Sequence, residues 1–130
     1  MDVVKLLKEA GIKPSAHRVA VAEHVLCTDA HPSADQVWKA VRQKFPVISR
    51  ATVYNTLNCF VEKGILRALQ IAEGRVVFDP KLEKHHHFLD EHTGRIHDVP
   101  WEALEVRNVE SLKDFAVKDY QVVLTGRRKR

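Results

Sequence analysis

Apolar residues in the first half of the chain recur at the spacing of amphipathic helices, and capping residues separate one run from the next. Four helices are therefore predicted. The residues that signal their starts are Asp2, Ser15, Ser33 and Ser49, and stop signals follow the first, third and fourth helices at Gly11, Pro46 and Gly64. In the fourth, Val53, Leu57 and Phe60 share one face at i, i+4 and i+7 and are expected to lie in the core.

The hydrophobic period then changes from 3.6 to two. Leu66 to Ile71 and Arg75 to Phe78 are short strand-like runs, and Ala72-Glu73-Gly74 between them is a turn signal. Helices followed by a two-stranded hairpin are the order of elements in a winged helix-turn-helix domain, although other short helical domains share this periodicity.

A second pattern follows Asp79-Pro80. Strands are predicted at His85 to Leu89, Arg95 to Val99 and Tyr120 to Leu124, with a helix from Asn108 to Ala116 that carries Val109, Leu112 and Phe115. The expected fold class is α+β, with a winged-helix domain at 1–78, a hinge at 79–84 and a small α/β dimerisation domain at 85–130. So few residues bury little apolar surface, and a second copy of the chain is expected to supply the missing burial.

Charge separates the same two parts. Residues 1–78 carry 11 Lys/Arg against 7 Asp/Glu, whereas residues 79–126 carry 6 against 10, and the last four residues are all basic. No apolar run is long enough to span a bilayer or to serve as a secretory signal, so we expect a cytoplasmic protein without a membrane partner. Cys27 and Cys59 lie in helix-like patterns and are expected to be buried as small hydrophobic residues, rather than to form a disulfide or a Cys-x-x-Cys zinc site.

The predicted fourth helix has the composition of a DNA reader. Polar and aromatic side chains at its start lie away from its apolar face, and basic residues elsewhere are placed to contact phosphates. The candidate DNA-binding residues are Lys13, Arg18, Arg50, Thr52, Tyr54 and Asn55, with Arg67 and Arg75 on the hairpin. The alternative is an ordinary amphipathic helix with a solvated polar face.

Five of the eight histidines fall between positions 85 and 97. On a strand, His85 and His87 share a face while His86 lies opposite, and Asp98 on the next strand is placed to add a carboxylate. Such nitrogen and oxygen ligands suit Fe²⁺, Mn²⁺, Zn²⁺ or Ni²⁺. The alternative is a solvated strand without a ligand, and a second site at His86, His92 or His97 stays open.

Several motifs together resemble the ferric uptake regulator superfamily in order and spacing, over almost the whole chain. These motifs are His31-Pro32-Ser33-Ala34-Asp35, Ser49-Arg50-Ala51-Thr52-Val53-Tyr54-Asn55-Thr56-Leu57, Phe78-Asp79, His85-His86-His87 and Gly94-Arg95-Ile96-His97-Asp98. The resemblance implies a homodimeric, metal-responsive repressor that binds a palindromic operator and is not an enzyme.

The resemblance also implies residue roles. The regulatory metal ligands would be His31, Asp79, His85, His87 and Asp98. Asp79 and Asp98 resemble the peroxide-sensing (PerR) branch, which implies Fe²⁺ or Mn²⁺, with Zn²⁺ binding in vitro, and oxidation of His31 or His85 by peroxide. Lys13 matches a position near the minor groove, and Tyr54 and Asn55 match base-facing positions.

Two departures from the family pattern matter. Asp90 and Thr93 stand where most members have a Cys-x-x-Cys pair, and the second pair is absent, so no structural zinc with four thiolates is expected. A three-histidine run without those thiols also resembles the haem- and iron-responsive Irr branch, which leaves haem as an alternative ligand. Rival hypotheses are a metal-dependent hydrolase, since such ligands also activate water, and a winged-helix protein that needs no metal.

Overall fold

Four α-helices begin where side-chain caps satisfy their first backbone N–H groups. The structure, a computed structural model, describes residues 1–129 and divides into two compact units, the first being Met1–Leu82. Its helices are α1 (Val3–Glu9), α2 (Ala16–Val25), α3 (Ala34–Val41) and α4 (Arg50–Glu62). Asp2, Ser15, Ser33 and Ser49 each accept a hydrogen bond from the N–H three residues on, as predicted.

The helices of this unit bury their apolar faces in one core. Val53, Leu57 and Phe60 of α4 are fully buried, which confirms the predicted inner face of that helix. Val37 and Val41 of α3 join the same core, while Trp38 and Phe45 pack at its edge. Cys59 also packs at this edge, but the predicted burial of Cys27 is wrong, because it lies exposed after the end of α2. The opposite side of α4 is thereby left for polar residues.

A hairpin completes the first unit. Strand β1 (Arg67–Ala72) pairs antiparallel with β2 (Arg75–Asp79). Gly74 allows the tight turn because its φ of 70° lies in the left-handed region. The predicted winged helix-turn-helix is therefore present, and β2 ends at Asp79.

The second unit starts at Glu83, inside the segment 79–84 predicted as a hinge. Its sheet contains β3 (His85–Asp90), β4 (Ile96–Pro100) and β5 (Val123–Gly126), in the order β4-β3-β5. Strand β3 pairs antiparallel with β4 and parallel with β5. The three-histidine run therefore lies on the central strand, and a hinge function of 79–84 stays a prediction.

The helix predicted from Asn108 to Ala116 is wrong. Asn108 has a left-handed backbone (φ 66°) and no side-chain capping bond, so only a 3₁₀ turn at Val109–Ser111 follows it. Leu112 and Phe115 are exposed, and a short helix without a packed apolar face has little to stabilise it. The predicted last strand is also displaced, because its parallel pairing with β3 begins at Val123.

The second unit has little apolar interior. Among its described residues, Ile96 is the one buried hydrophobic side chain, whereas the three consecutive histidines of β3 and Asp90 are buried. Several apolar side chains of this unit are instead exposed, by 37% to 70% of their surface: Val106, Leu112, Phe115 and Val117. Among the described residues, no helix is both long and apolar enough to cross a bilayer.

Candidate metal centre and nucleic-acid interface

Three consecutive histidines of β3 alternate between the two faces of the sheet. The rings of His85 and His87 lie together, with centroids 4.6 Å apart. The ring of His86 stacks on Trp101, also at 4.6 Å, on the other face. All three are buried, so the alternation predicted from the strand period is present.

Hydrogen bonds fix which nitrogen of each ring enters the candidate centre. Nδ1 of His85 lies 2.6 Å from the carbonyl oxygen of Glu83, and Nδ1 of His87 lies 2.9 Å from Oε1 of Gln121. Both oxygens are acceptors, so each Nδ1 carries the proton. Their Nε2 atoms lie 3.5 and 3.7 Å from Oδ1 of Asp98, which is paired with His87 in the sheet register.

Two nitrogens and a carboxylate oxygen are thus arranged for a cation. Tying the Nδ1 atoms to carbonyl-type oxygens is how metal-ligating histidines are usually oriented, since it leaves the Nε2 lone pair toward the ion. His85, His87 and Asp98 are close enough to hold a metal ion together. A nitrogen and oxygen donor set of this kind suits Fe²⁺, Mn²⁺ or Zn²⁺.

The first unit contains a second pair of imidazole and carboxylate side chains, His31 and Asp79. Nε2 of His31 lies 3.4 Å from Oδ2 of Asp79, and both side chains are buried. The other oxygen of Asp79 accepts a hydrogen bond from the N–H of Lys81, which fixes the carboxylate. His31 has a φ of 51°, a backbone conformation that is uncommon outside glycine and that recurs at functional sites.

The remaining histidines near β3 have other surroundings. Nδ1 of His86 accepts a hydrogen bond from the N–H of Val122, so its proton is on Nε2. His92 is exposed in the turn after β3, and the Nε2 atom of His97 is buried without a hydrogen-bond partner. Among residues 1–129, no further cluster of three ligand-type side chains includes them.

Asp90 organises the turn where a Cys-x-x-Cys pair is absent. Its Oδ1 accepts hydrogen bonds from the N–H groups of His92 at 2.9 Å and Thr93 at 3.3 Å. Desolvation at this buried position opposes ionisation, but those N–H groups hold the pKa of Asp90 below its ordinary value. Hydrogen bonds to a carboxylate therefore hold this turn without thiolate ligands.

Four of the predicted DNA-binding residues line one groove of the first unit. The groove lies between the start of α2 and α4, and it contains Lys13, Arg18, Thr52 and Asn55. Four further residues line this groove and are not among the predicted DNA-binding residues, namely Ser15, His17, Thr56 and Cys59. The position of His17 in the first turn of α2, next to Arg18, was an available signal.

The candidates Arg50 and Tyr54 of α4 lie apart from this groove. Tyr54 lines a second groove with Asp35 and the wing residue Arg75. The guanidinium of Arg50 lies over the ring of Trp38 at 4.3 Å and its Nε is 3.3 Å from Asp35. The polar side of α4 is therefore flanked by two grooves rather than by one continuous basic face.

Comparisons with known proteins agree with this architecture. The model of the ferric uptake regulator family matches residues 9–125. The peroxide operon regulator of Bacillus subtilis (strain 168) is 36% identical over 104 residues, which cover 80% of this chain and 72% of that protein.

Solved structures of ferric uptake regulators are similar to this chain over nearly its full length. The Vibrio cholerae ferric uptake regulator, solved with rearranged DNA-binding domains, has a TM-score of 0.76 at 26% identity, covering 98% of this chain and 100% of that one. The Pseudomonas aeruginosa ferric uptake regulator with manganese has a TM-score of 0.72 at 27% identity, and each chain is covered completely. The α+β fold and the family resemblance are confirmed, and the chain belongs to the ferric uptake regulator family.

Proposed function

We propose that this protein is a metal-responsive, dimeric transcriptional repressor of the peroxide-sensing type. The observation that carries the proposal is the convergence of the His85 and His87 Nε2 atoms on Asp98, with both Nδ1 atoms held by oxygen acceptors. A winged-helix unit in the same chain supplies the surface for double-stranded DNA. Similarity to a peroxide operon regulator supports the nature of the signal.

The proposed regulatory site takes ligands from both units. His31 and Asp79 repeat the imidazole and carboxylate chemistry of His85, His87 and Asp98. Because the family resemblance implies the same five ligands, we assign all five to one ion. Binding would then favour the arrangement of the units that fits the operator. Shifting a population from about 1:99 to 99:1 requires about 5.5 kcal/mol of differential binding.

The proposed physiological ion is Fe²⁺ or Mn²⁺, with Zn²⁺ as a ligand in vitro. Bound Fe²⁺ would supply the redox chemistry by which peroxide oxidises a ligand ring. The buried rings of His31 and His85 are the expected targets. Asp79 contacts the ring of His31, and the carbonyl oxygen of Glu83 accepts a hydrogen bond from the ring of His85. Oxidation would replace an imidazole donor, weaken ion binding and release the operator.

The proposed DNA contacts follow the grooves of the first unit. Lys13 and Arg18 would contact phosphates, while Thr52 and Asn55 from the same groove would contact base edges. Arg50 and Tyr54 are proposed to contact DNA from the other side of α4. Exposed apolar side chains at 106–117 support a homodimer, which would place two α4 helices roughly 34 Å apart on a palindromic operator.

The test is an anaerobic mobility-shift titration of operator DNA with Mn²⁺ and with Fe²⁺. His85→Ala is expected to lose metal-dependent binding while remaining dimeric, because it removes a buried ligand without touching the exposed apolar residues. The matched control is His92→Ala, an exposed histidine of the same unit, which should behave like the wild type.

Comparing the Fe²⁺ and Mn²⁺ proteins after peroxide treatment then tests whether peroxide is the signal, independently of which residues bind the ion. Peroxide is expected to abolish DNA binding by the Fe²⁺ protein alone, with the mass of one oxygen atom added to His31 or His85. A wild-type metal response in His85→Ala would overturn the proposed ligand set. Equal sensitivity of the Fe²⁺ and Mn²⁺ proteins would overturn the peroxide-sensing assignment.

A further inference from the structure

We propose that Gln121 is a positioning residue for His87, acting by fixing the proton of that ring on Nδ1. Oε1 of Gln121 lies 2.9 Å from Nδ1 of His87, a fully buried ring. The two residues are 34 positions apart in the sequence, so the contact exists only in the folded chain. The inference rests on the proposed metal site, to which it adds a residue outside the ligand set.

The backbone around Gln121 is anchored to β3 independently of this side chain. The N–H of His87 donates to the carbonyl of Val122 at 3.1 Å, and the N–H of Val122 donates to Nδ1 of His86 at 2.9 Å. These two hydrogen bonds fix the segment beside the strand. The amide of Gln121 is therefore held within reach of His87, and little side-chain freedom is lost when the hydrogen bond forms.

The three neighbouring rings show why a side-chain acceptor matters at position 87. His85 donates from Nδ1 to a backbone carbonyl, and His86 accepts at Nδ1 from a backbone N–H, so the main chain sets both tautomers. At His87 the corresponding partner is a side chain. Residue 121 thus decides whether Nε2 of His87, 3.7 Å from Oδ1 of Asp98, offers its lone pair to an ion that Asp98 also binds.

The consequence concerns ion affinity. Partners that orient a ligating histidine typically contribute a factor of about 10 to 100 in metal affinity. Gln121→Leu keeps much of the side-chain volume and removes the acceptor, so its His87 ring is expected to carry the proton on Nε2 in part of the molecules. Gln121→Glu keeps an acceptor at the same reach and is expected to retain the Nδ1 proton.

The experiment uses the full chain and two readouts. Nitrogen-15 NMR of the histidine rings in metal-free protein at pH 8 reports the tautomer of His87, and calorimetric titration with Mn²⁺ reports affinity. We expect Gln121→Leu to lose the pure Nδ1-H signature and to bind Mn²⁺ about 10 to 100 times more weakly. Gln121→Glu should keep the signature and bind within a few-fold of the wild type or more tightly.

Controls separate positioning from general damage. Gln70→Leu, at an exposed position of β1, should leave both readouts unchanged, and thermal melts of all variants report folding. A wild-type tautomer and affinity in Gln121→Leu would overturn the inference, as would equal losses in Gln121→Leu and Gln121→Glu. If the wild type itself binds no Mn²⁺, the proposed function fails, while the metal-free tautomer still tests the role of Gln121.

Discussion

At the scale of single residues, the chemistry depends on which atom of a side chain is already in use. Oδ1 of Asp79 accepts from Lys81, which leaves Oδ2 beside His31, and Nδ1 of His85 donates to Glu83, which leaves Nε2 beside Asp98. In each case a local hydrogen bond orients the group before any ion arrives. Preorganised ligands lose less conformational freedom on binding, which favours the ion.

Asp90 gives a prediction at this scale. Since the pKa of Asp90 is lowered in the folded protein, its ionisation stabilises the fold above the ordinary carboxyl pKa. That contribution disappears as the pH falls through the lowered pKa. In chelator, the wild type should melt above Asp90→Asn at pH 7, and the difference should shrink toward pH 3. Circular dichroism melts measure it.

The control for this prediction is Asp114→Asn. Asp114 is exposed outside any strand or helix, so its substitution should leave the melting temperature nearly unchanged at both pH values. A difference between the wild type and Asp90→Asn that stays constant from pH 7 to pH 3 would contradict the electrostatic explanation.

At the scale of elements, helix starts and strand ends bring the candidate ligands into place. Ser33 and Gln36 form a reciprocal capping box, so α3 begins three residues after His31. The N–H of Phe78 donates to the carbonyl of Pro32 at 2.8 Å, which holds the end of β2 beside the residue before that cap. The pairing of His31 with Asp79 therefore follows from how these two elements begin and end.

Removal of the capping box should lower stability measurably. Ser33→Ala deletes the acceptor for the N–H of Gln36 and is expected to reduce the free energy of unfolding by about 1 kcal/mol. Ser33→Asp restores an acceptor and should recover most of that loss. Urea denaturation measures both variants, and equal unfolding free energies for the Ala and Asp variants would refute the capping role.

At the scale of the whole molecule, the two units are stabilised differently. The first has an apolar helical core, whereas the second buries histidines and leaves apolar side chains such as Phe115 exposed. Each unit also contains one of the two tryptophans, Trp38 in the first and Trp101 in the second. An ion bound by both units should stabilise both, because binding to the folded state alone shifts its equilibrium.

The fluorescence of each tryptophan reports the unfolding of its own unit, so single-tryptophan variants test whether the ion stabilises both units. Trp101→Phe leaves Trp38, and Trp38→Phe leaves Trp101. With free Mn²⁺ at about 100 times its Kd, unfolding followed by either reporter should become about 2.7 kcal/mol less favourable, and His87→Ala should remove both shifts. A shift at Trp101 without one at Trp38 would mean that the second unit binds the ion alone. Denaturation followed by fluorescence makes the measurement.

The sequence by itself determined the features that depend on local physics. Capping residues and helical periods located α1 to α4, Gly74 located the hairpin turn, and the two-residue strand period placed His85 and His87 on one face. These signals are readable because their partners lie within a few positions along the chain.

Only the tertiary structure decided the rest. The helix expected at 108–116 does not form, because no packed surface covers its apolar residues and Asn108 is left-handed. Arg50 is stacked on Trp38, and the orientation of His87 depends on Gln121, because their partners come from distant segments. Contacts of this kind have no signal in sequence spacing, since they depend on where the folded backbone places each side chain.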